Sequence, residues 1–134
     1  MTACSRQRCS NPARVLGMCR SHATKHADAL FSAYIRARDG ECVGAEFLPK
    51  VKCWGSLQCM HLVSRRYRSV RWSMVNGIAG CAGHHSYLTA RPDEHYDFCK
   101  RLLGRDAYDA LLHEALNGPA PDLEAILTEL KGAA

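Results

Sequence analysis

No uninterrupted apolar run in the 134 residues approaches the ~20 that a membrane span requires, so no membrane partner is expected. The opening residues also lack the basic segment and apolar stretch of a secretory leader. The expected setting is therefore the reducing cytoplasm. Disulfides are rare there, and eight cysteines point to metal instead. Acidic residues are scarce in the front of the chain. Residues 1–91 hold 4 of the 13 Asp and Glu but 14 of the 18 Lys and Arg, a balance of +10. Residues 92–134 hold 4 basic and 9 acidic residues, a balance of −5. A basic front fits a polyanion partner, because neutralising phosphates releases counterions. A globular protein with an acidic helical tail fits the same charges. Internal repeats and long linkers are absent, which leaves one small domain, or a core with an appendage.

The cysteines are spaced as ligands. Residues 1–27 show little periodicity and few apolar side chains, yet they carry Cys4, Cys9, Cys19 and His22 as C-x4-C-x9-C-x2-H. A loop that cannot fold by burial can fold around tetrahedral zinc, which prefers thiolate and imidazole. A second set, Cys42, Cys53, Cys81 and His84, repeats the C-x2-H spacing at Cys81 and His84. Cys59 competes for its fourth position. Two structural Zn2+ ions are the expectation.

Periodicity outlines the rest. Ala27, Leu30, Phe31, Tyr34 and Ile35 recur at helical spacing within 26–40, which Asp39-Gly40 closes. "LQCMHLV" reads as a strand, the Ser-Arg stretch as a loop, "NGIAGC" as a second strand and "GHHSYLTA" as a short helix. Pro92 opens a helix with acids in its first turn, Lys100 and Arg101 in its last and Gly104 as its stop. Two tail helices follow. One carries Tyr108, Leu111, Leu112, Ala115 and Leu116 on one face, the other Leu123, Ile126, Leu127 and Leu130. Trp72 is expected to anchor the core. The tail helices suit a homodimer interface or packing within a monomer.

A strand–loop–strand–helix hairpin can bring His61, Asn76 and His85 together. Such a set suits phosphodiester hydrolysis. A neutral imidazole takes a proton from water, and a divalent cation polarises the phosphate and stabilises the leaving oxygen. The asparagine amide either holds the loop or reaches the metal. Arg65, Arg66, Arg68 and Arg71 follow His61 and would grip backbone phosphates without reading sequence, or lie as solvated surface.

"IRARDGECV", "CWGSLQCMHLVSRRYRSVRW", Asn76, "CAGHH" and "PDEHYDFCKRLLG" together resemble phage-type HNH endonucleases, from about Leu30 to Leu103. The resemblance implies a small zinc-stabilised α+β protein with a ββα-metal core and flanking helices. Its parts would be a zinc knuckle over 1–27, a nuclease core over 28–104 and a helical tail over 105–134. It makes His61 the general base and Asn76 the residue that orders the loop or helps bind metal. His85 becomes the ligand of a catalytic Mg2+, Mn2+, Ni2+ or Zn2+. Cys81 and His84 then match the C-x2-C pair that usually precedes the final histidine. The implied function is a DNA endonuclease or nickase, phage-encoded and acting in a bacterial host. Met60 departs from the pattern, standing where many such enzymes place a metal-binding acid. A thioether suits hard ions poorly, which leaves Gln58, Cys59, Asn76 or water to complete the shell, or His84 to turn toward the ion. Met60 also keeps open a zinc-dependent DNA-binding or adaptor protein with a degenerate pocket. A structure-selective recombination nuclease is the third reading.

Overall fold

The computed structural model describes residues 2–133. Its contacts divide it into two compact units. One is drawn from the two ends of the chain, up to Tyr34 and from Pro121 onward; the other is Ile35–Ala120. These units divide the chain differently from the three segments 1–27, 28–104 and 105–134.

In the first unit a cysteine-bearing loop leads into α1 (Arg20–Asp39). This helix begins well before the expected start at residue 26, so part of the supposed knuckle loop is helical. The apolar period alone hid this, because the first turn is set by the Cys19–His22 pair. The buried stripe runs Ala23, Ala27, Phe31, Ile35, a clean i+4 row. The loop is tied by short bridges, Ala3 to Pro12 and Val15 to Met18. From the end of the chain this unit takes α6 (Leu123–Ala133), which buries Leu123, Leu127 and Leu130.

The second unit starts in the last turn of α1 and continues through α2 (Gly44–Phe47). The antiparallel strands β1 (Leu57–His61) and β2 (Gly77–Cys81) pair from Leu57↔Cys81 to His61↔Gly77. The helices α3 (Ala82–Thr89), α4 (Pro92–Leu103) and α5 (Arg105–Asn117) follow. This is an α+β arrangement with a two-stranded sheet. β1 ends at His61, two residues short of the expected "LQCMHLV", because Val63 leaves the ladder to bond the Asn76 side chain. Leu62 and Val63 remain buried in a core shared with Met60, Val70, Ile78 and Phe98. Trp72 is buried, as expected.

α5 belongs to this unit: the Ser69 hydroxyl in the arginine loop donates to the Glu114 carbonyl at 2.8 Å. Its buried face is Tyr108, Leu111 and Ala115. Leu116, expected on that face, is 68% exposed, because it lies one residue beyond Ala115 and so a hundred-degree step around the helix. The end of α1 clamps the hairpin. Arg38 donates to the carbonyls of Met74 (2.7 Å) and Gly77 (2.8 Å), while the Asp39 carboxylate accepts from the Ala79 N–H at 2.8 Å. No helix among the described residues is long and apolar enough to cross a membrane.

Candidate functional site

The two proposed ligand sets each converge. Cys4, Cys9, Cys19 and His22 form one group, and Cys42, Cys53, Cys81 and His84 the other; within each, the candidate ligand atoms lie within 4.8 Å of one another. In the first, His22 Nδ1 lies 3.4 Å from Cys4 Sγ and 3.2 Å from Cys19 Sγ, and Cys9 Sγ is 3.9 Å from Cys19 Sγ. In the second, His84 Nδ1 is 3.5 Å from Cys42 Sγ, 3.5 Å from Cys53 Sγ and 3.2 Å from Cys81 Sγ. A tetrahedron with zinc bond lengths has edges of about 3.5–3.8 Å, so these spacings are those of ligands around a common centre. All eight cysteines are free thiols. Cys59 is outside both groups.

Outer contacts prepare each set. His84 Nε2–H donates to the Leu48 carbonyl at 3.1 Å, which leaves Nδ1 with the lone pair, facing the sulfurs. The N–H groups of Cys81 and His84 donate to Cys42 Sγ (3.2 Å) and Cys81 Sγ (3.4 Å). Burial pushes the Cys81 thiol up, but the His84 N–H and imidazole outweigh it and bring the thiol to about 6. The His22 backbone N–H does the same for Cys19, also to about 6. One thiolate, the form zinc takes, is thus favoured in each set near neutral pH. Burial and the neighbouring thiols push Cys53 up to about 11 and, against the lowering Asn11 backbone bond, raise Cys9. His84 is fully committed here, so it does not turn toward a separate catalytic ion.

The hairpin places the other candidates. His61 closes β1, and its Nε2 lies 2.9 Å from the Arg71 carbonyl. A carbonyl only accepts, so Nε2 carries the proton and Nδ1 the lone pair. Asn76 is completely buried. Its Oδ1 accepts from Val63 N–H at 2.7 Å, and its Nδ2 donates to the Val63 and Val70 carbonyls at 3.0 Å each. Of the two roles open to it, the geometry has the amide spanning the loop between the strands. His85, in the first turns of α3, donates from Nδ1 to Gln58 Oε1 at 2.7 Å, so its lone pair is on Nε2. Burial lowers its pKa and favours the neutral ring.

Gln58 and His85 line a pocket of about 470 Å³ with Ser86, Thr89 and Ala90. A larger depression of about 650 Å³, bounded by Lys50, Glu94, Lys100 and Arg105, contains none of the candidate residues.

Met60 takes no part in the pocket. It is 2% exposed and packs over Gly80, where an added Cβ would lie 2.2 Å from the Met60 sulfur. The side chain at this position is therefore core, and an acid there would be buried among apolar groups. No carboxylate occurs anywhere between Glu46 and Asp93. The two Cys3His groups are also the only clusters of three or more metal-ligating side chains among the described residues. A hard cation such as Mg2+, which favours oxygen ligands, finds little here. An imidazole such as that of His85 suits Mn2+, Ni2+ or Zn2+ better.

The four arginines divide into two pairs. Arg65 and Arg66 are exposed. Arg68 and Arg71 lie over the Trp72 ring, 5.1 and 5.4 Å from its centroid, which fixes their stems while charge remains at the surface.

One neighbour was not foreseen. The ring of His95, in α4, hydrogen-bonds the His61 backbone and lies close enough to His85 for their charges to interact. One turn on, Cys99 Sγ approaches the Leu62 carbonyl at 3.7 Å, so α4 braces the end of β1 twice. The i, i+4 spacing of His95 and Cys99 on an amphipathic helix was the available signal. No family model, curated protein or solved structure matches the chain.

Proposed function

We propose that this protein is a metal-dependent DNA endonuclease or nickase of the HNH type, hydrolysing phosphodiester bonds with His61 as general base. The observation that carries the reading is the tautomer imposed on His61. With Nε2–H held by the Arg71 carbonyl, Nδ1 is the atom that accepts a proton from water, and the carbonyl stabilises the imidazolium that results. Asn76 keeps the Val63–Val70 loop in place, and with it the segment that supplies this carbonyl. His85 Nε2 would hold the catalytic cation, which when bound would polarise the scissile phosphate and stabilise the leaving oxygen. Phosphate oxygens and water would complete its shell. Arg65 and Arg66, with Arg68 and Arg71 behind them, would position the backbone. Structural Zn2+ in each Cys3His group would supply folding energy that a short chain otherwise lacks.

A second reading has its own support. Burial of Met60 and the missing carboxylate favour a zinc-dependent DNA-binding or adaptor protein whose pocket no longer hydrolyses. Supercoiled plasmid separates the two. Nicking is expected with Mn2+ or Ni2+ more than with Mg2+, falling by about 10²-fold or more in His61→Ala. Equal nicking by the variant, or none with any metal, would reject the hydrolytic reading. DNA binding that persists without cleavage would favour the adaptor. Faster cleavage of branched substrates would identify a structure-selective recombination nuclease.

A further inference from the structure

Trp54 stands apart from every role assigned above. It is 60% exposed, although it is a large aromatic side chain and the other tryptophan, Trp72, is only 4% exposed. Its neighbours Lys52, Cys53, Gly55 and Ser56 are exposed as well.

The segment is nevertheless rigidly mounted. Cys53 belongs to the second Cys3His group. The Gly83 N–H donates to the Trp54 carbonyl and the Ala82 N–H to that of Ser56, each at 3.0 Å. Gly55 takes φ +77°, and a Cβ there would lie 2.6 Å from that of Ala82. The indole edge rests on Gly83: a Cβ at that position would meet Trp54 Cδ1 at 2.6 Å and Nε1 at 2.7 Å. Glycine at 83 thus lets the ring seat against the helix while most of it stays in water.

The position of that seat matters. Gly83 and Ser86 on α3 and Ala90, which caps its C-terminal end in helical conformation, recur at helical spacing. Trp54 therefore sits at the N-terminal end of the helix face whose next turns, with His85, line the 470 Å³ pocket. Residues 47–92 contribute basic side chains and no acidic one. An aromatic plane held open to solvent, on a stretch of chain whose charged side chains are all basic, is suited to a base with its π-face exposed, and stacking of this kind tolerates any base.

We infer that Trp54 is a stacking platform for an unpaired nucleobase, so that the preferred DNA carries unstacked bases beside the His85 pocket. The inference rests on the DNA-binding part of the function proposed above and deepens it by naming the substrate class. A base within continuous duplex has its faces occupied by its neighbours and cannot use the platform. A strand at a gap, flap or branch can.

The test measures binding rather than cleavage, using the zinc-loaded full chain carrying His61→Ala. Single-stranded, gapped and fully paired oligonucleotides are titrated against it, against the same chain with Trp54→Ala added, and against Trp54→Phe and Trp54→Leu versions. Trp54→Ala should weaken binding to the single-stranded and gapped DNA by about tenfold or more. Binding to the fully paired duplex should change less than about twofold. Phenylalanine should restore most of the loss and leucine should not, since leucine keeps apolar area without a π-face. Zinc content should be the same in all variants. Equal losses on all three DNAs, no loss on any, or rescue by leucine would each overturn the inference. A change confined to the oligomeric state would also overturn it, assigning the ring to contact between copies. Tight, Trp54-dependent binding by a protein whose unsubstituted form does not nick would leave the inference standing while the hydrolytic reading failed.

Discussion

Replacing Asn76 with alanine removes three hydrogen bonds from a fully buried position. The Val63 N–H and the Val63 and Val70 carbonyls lose their side-chain partner. An unsatisfied buried polar group costs about 1–3 kcal/mol. Water entering the vacated space would recover part of that. The net loss should be about 3–5 kcal/mol, a large part of the ~5–15 kcal/mol available to a domain of this kind. At roughly 3 °C per kcal/mol for this chain length, the melting temperature should fall by about 10–15 °C. The measurement is a thermal melt at fixed protein and zinc concentration, since metal bound to the folded state shifts the midpoint. Asn76→Asp sharpens it. An ionised carboxylate there has no proton for the Val63 and Val70 carbonyls and is repelled by both, which raises its pKa. A raised carboxyl pKa means that the variant is least impaired in acid and loses stability as pH rises. At about pH 8 it should be less stable than Asn76→Ala, and near pH 4 the gap should narrow. A melting shift below about 3 °C in Asn76→Ala would refute the loop-spanning role, as would an Asn76→Asp deficit that does not vary with pH.

Metal analysis should find two zinc ions per chain, and His22→Ala or His84→Ala should each lose one; a chelator should lower the melting temperature of the native chain, and indifference to chelation would reject structural zinc. Asp39→Asn should cost about 1–2 kcal/mol at neutral pH, as expected for hydrogen bonds to a charged group. Burial alone would raise the Asp39 carboxyl, but Arg38 and the Ala79 N–H outweigh it and hold the pKa below its ordinary 3.8. The contribution is therefore complete above that ordinary value and lost as pH falls through the depressed folded one. Denaturant titrations should show the difference between native and variant shrinking below about pH 4, and a difference that persists in acid would reject the assignment.

Much of the fold was legible because its signals are local. The Pro92 start, the Gly104 stop and the i+4 stripe of α1 depend on neighbours within a turn or two. The ligand sets were legible for a related reason: thiolate and imidazole at C-x2-H spacing are a compact chelating pair that a sequence displays directly. Element ends were less so. α1 starts at Arg20 because His22 must face Cys4 and Cys19, a requirement no apolar period records. Leu116 falls outside its expected face because burial on α5 follows a narrow stripe against one partner.

Side-chain direction was not readable from order along the chain. Sequence by itself singled out the candidate residues: two Cys3His sets, the histidines His61 and His85, Asn76 and the arginine run. Only the tertiary structure decided how each is used. It turned Met60 into the core over Gly80, closed the Asn76 amide on Val63 and Val70, and set the His61 proton on Nε2 through a carbonyl ten residues away. It also brought His95 to the end of β1 and left Trp54 open to solvent. Each of these outcomes depends on which backbone groups and cavities arrive from distant segments. Hydrogen-bond partners and packing volume are properties of the folded neighbourhood, and neither is carried by residue type or local spacing.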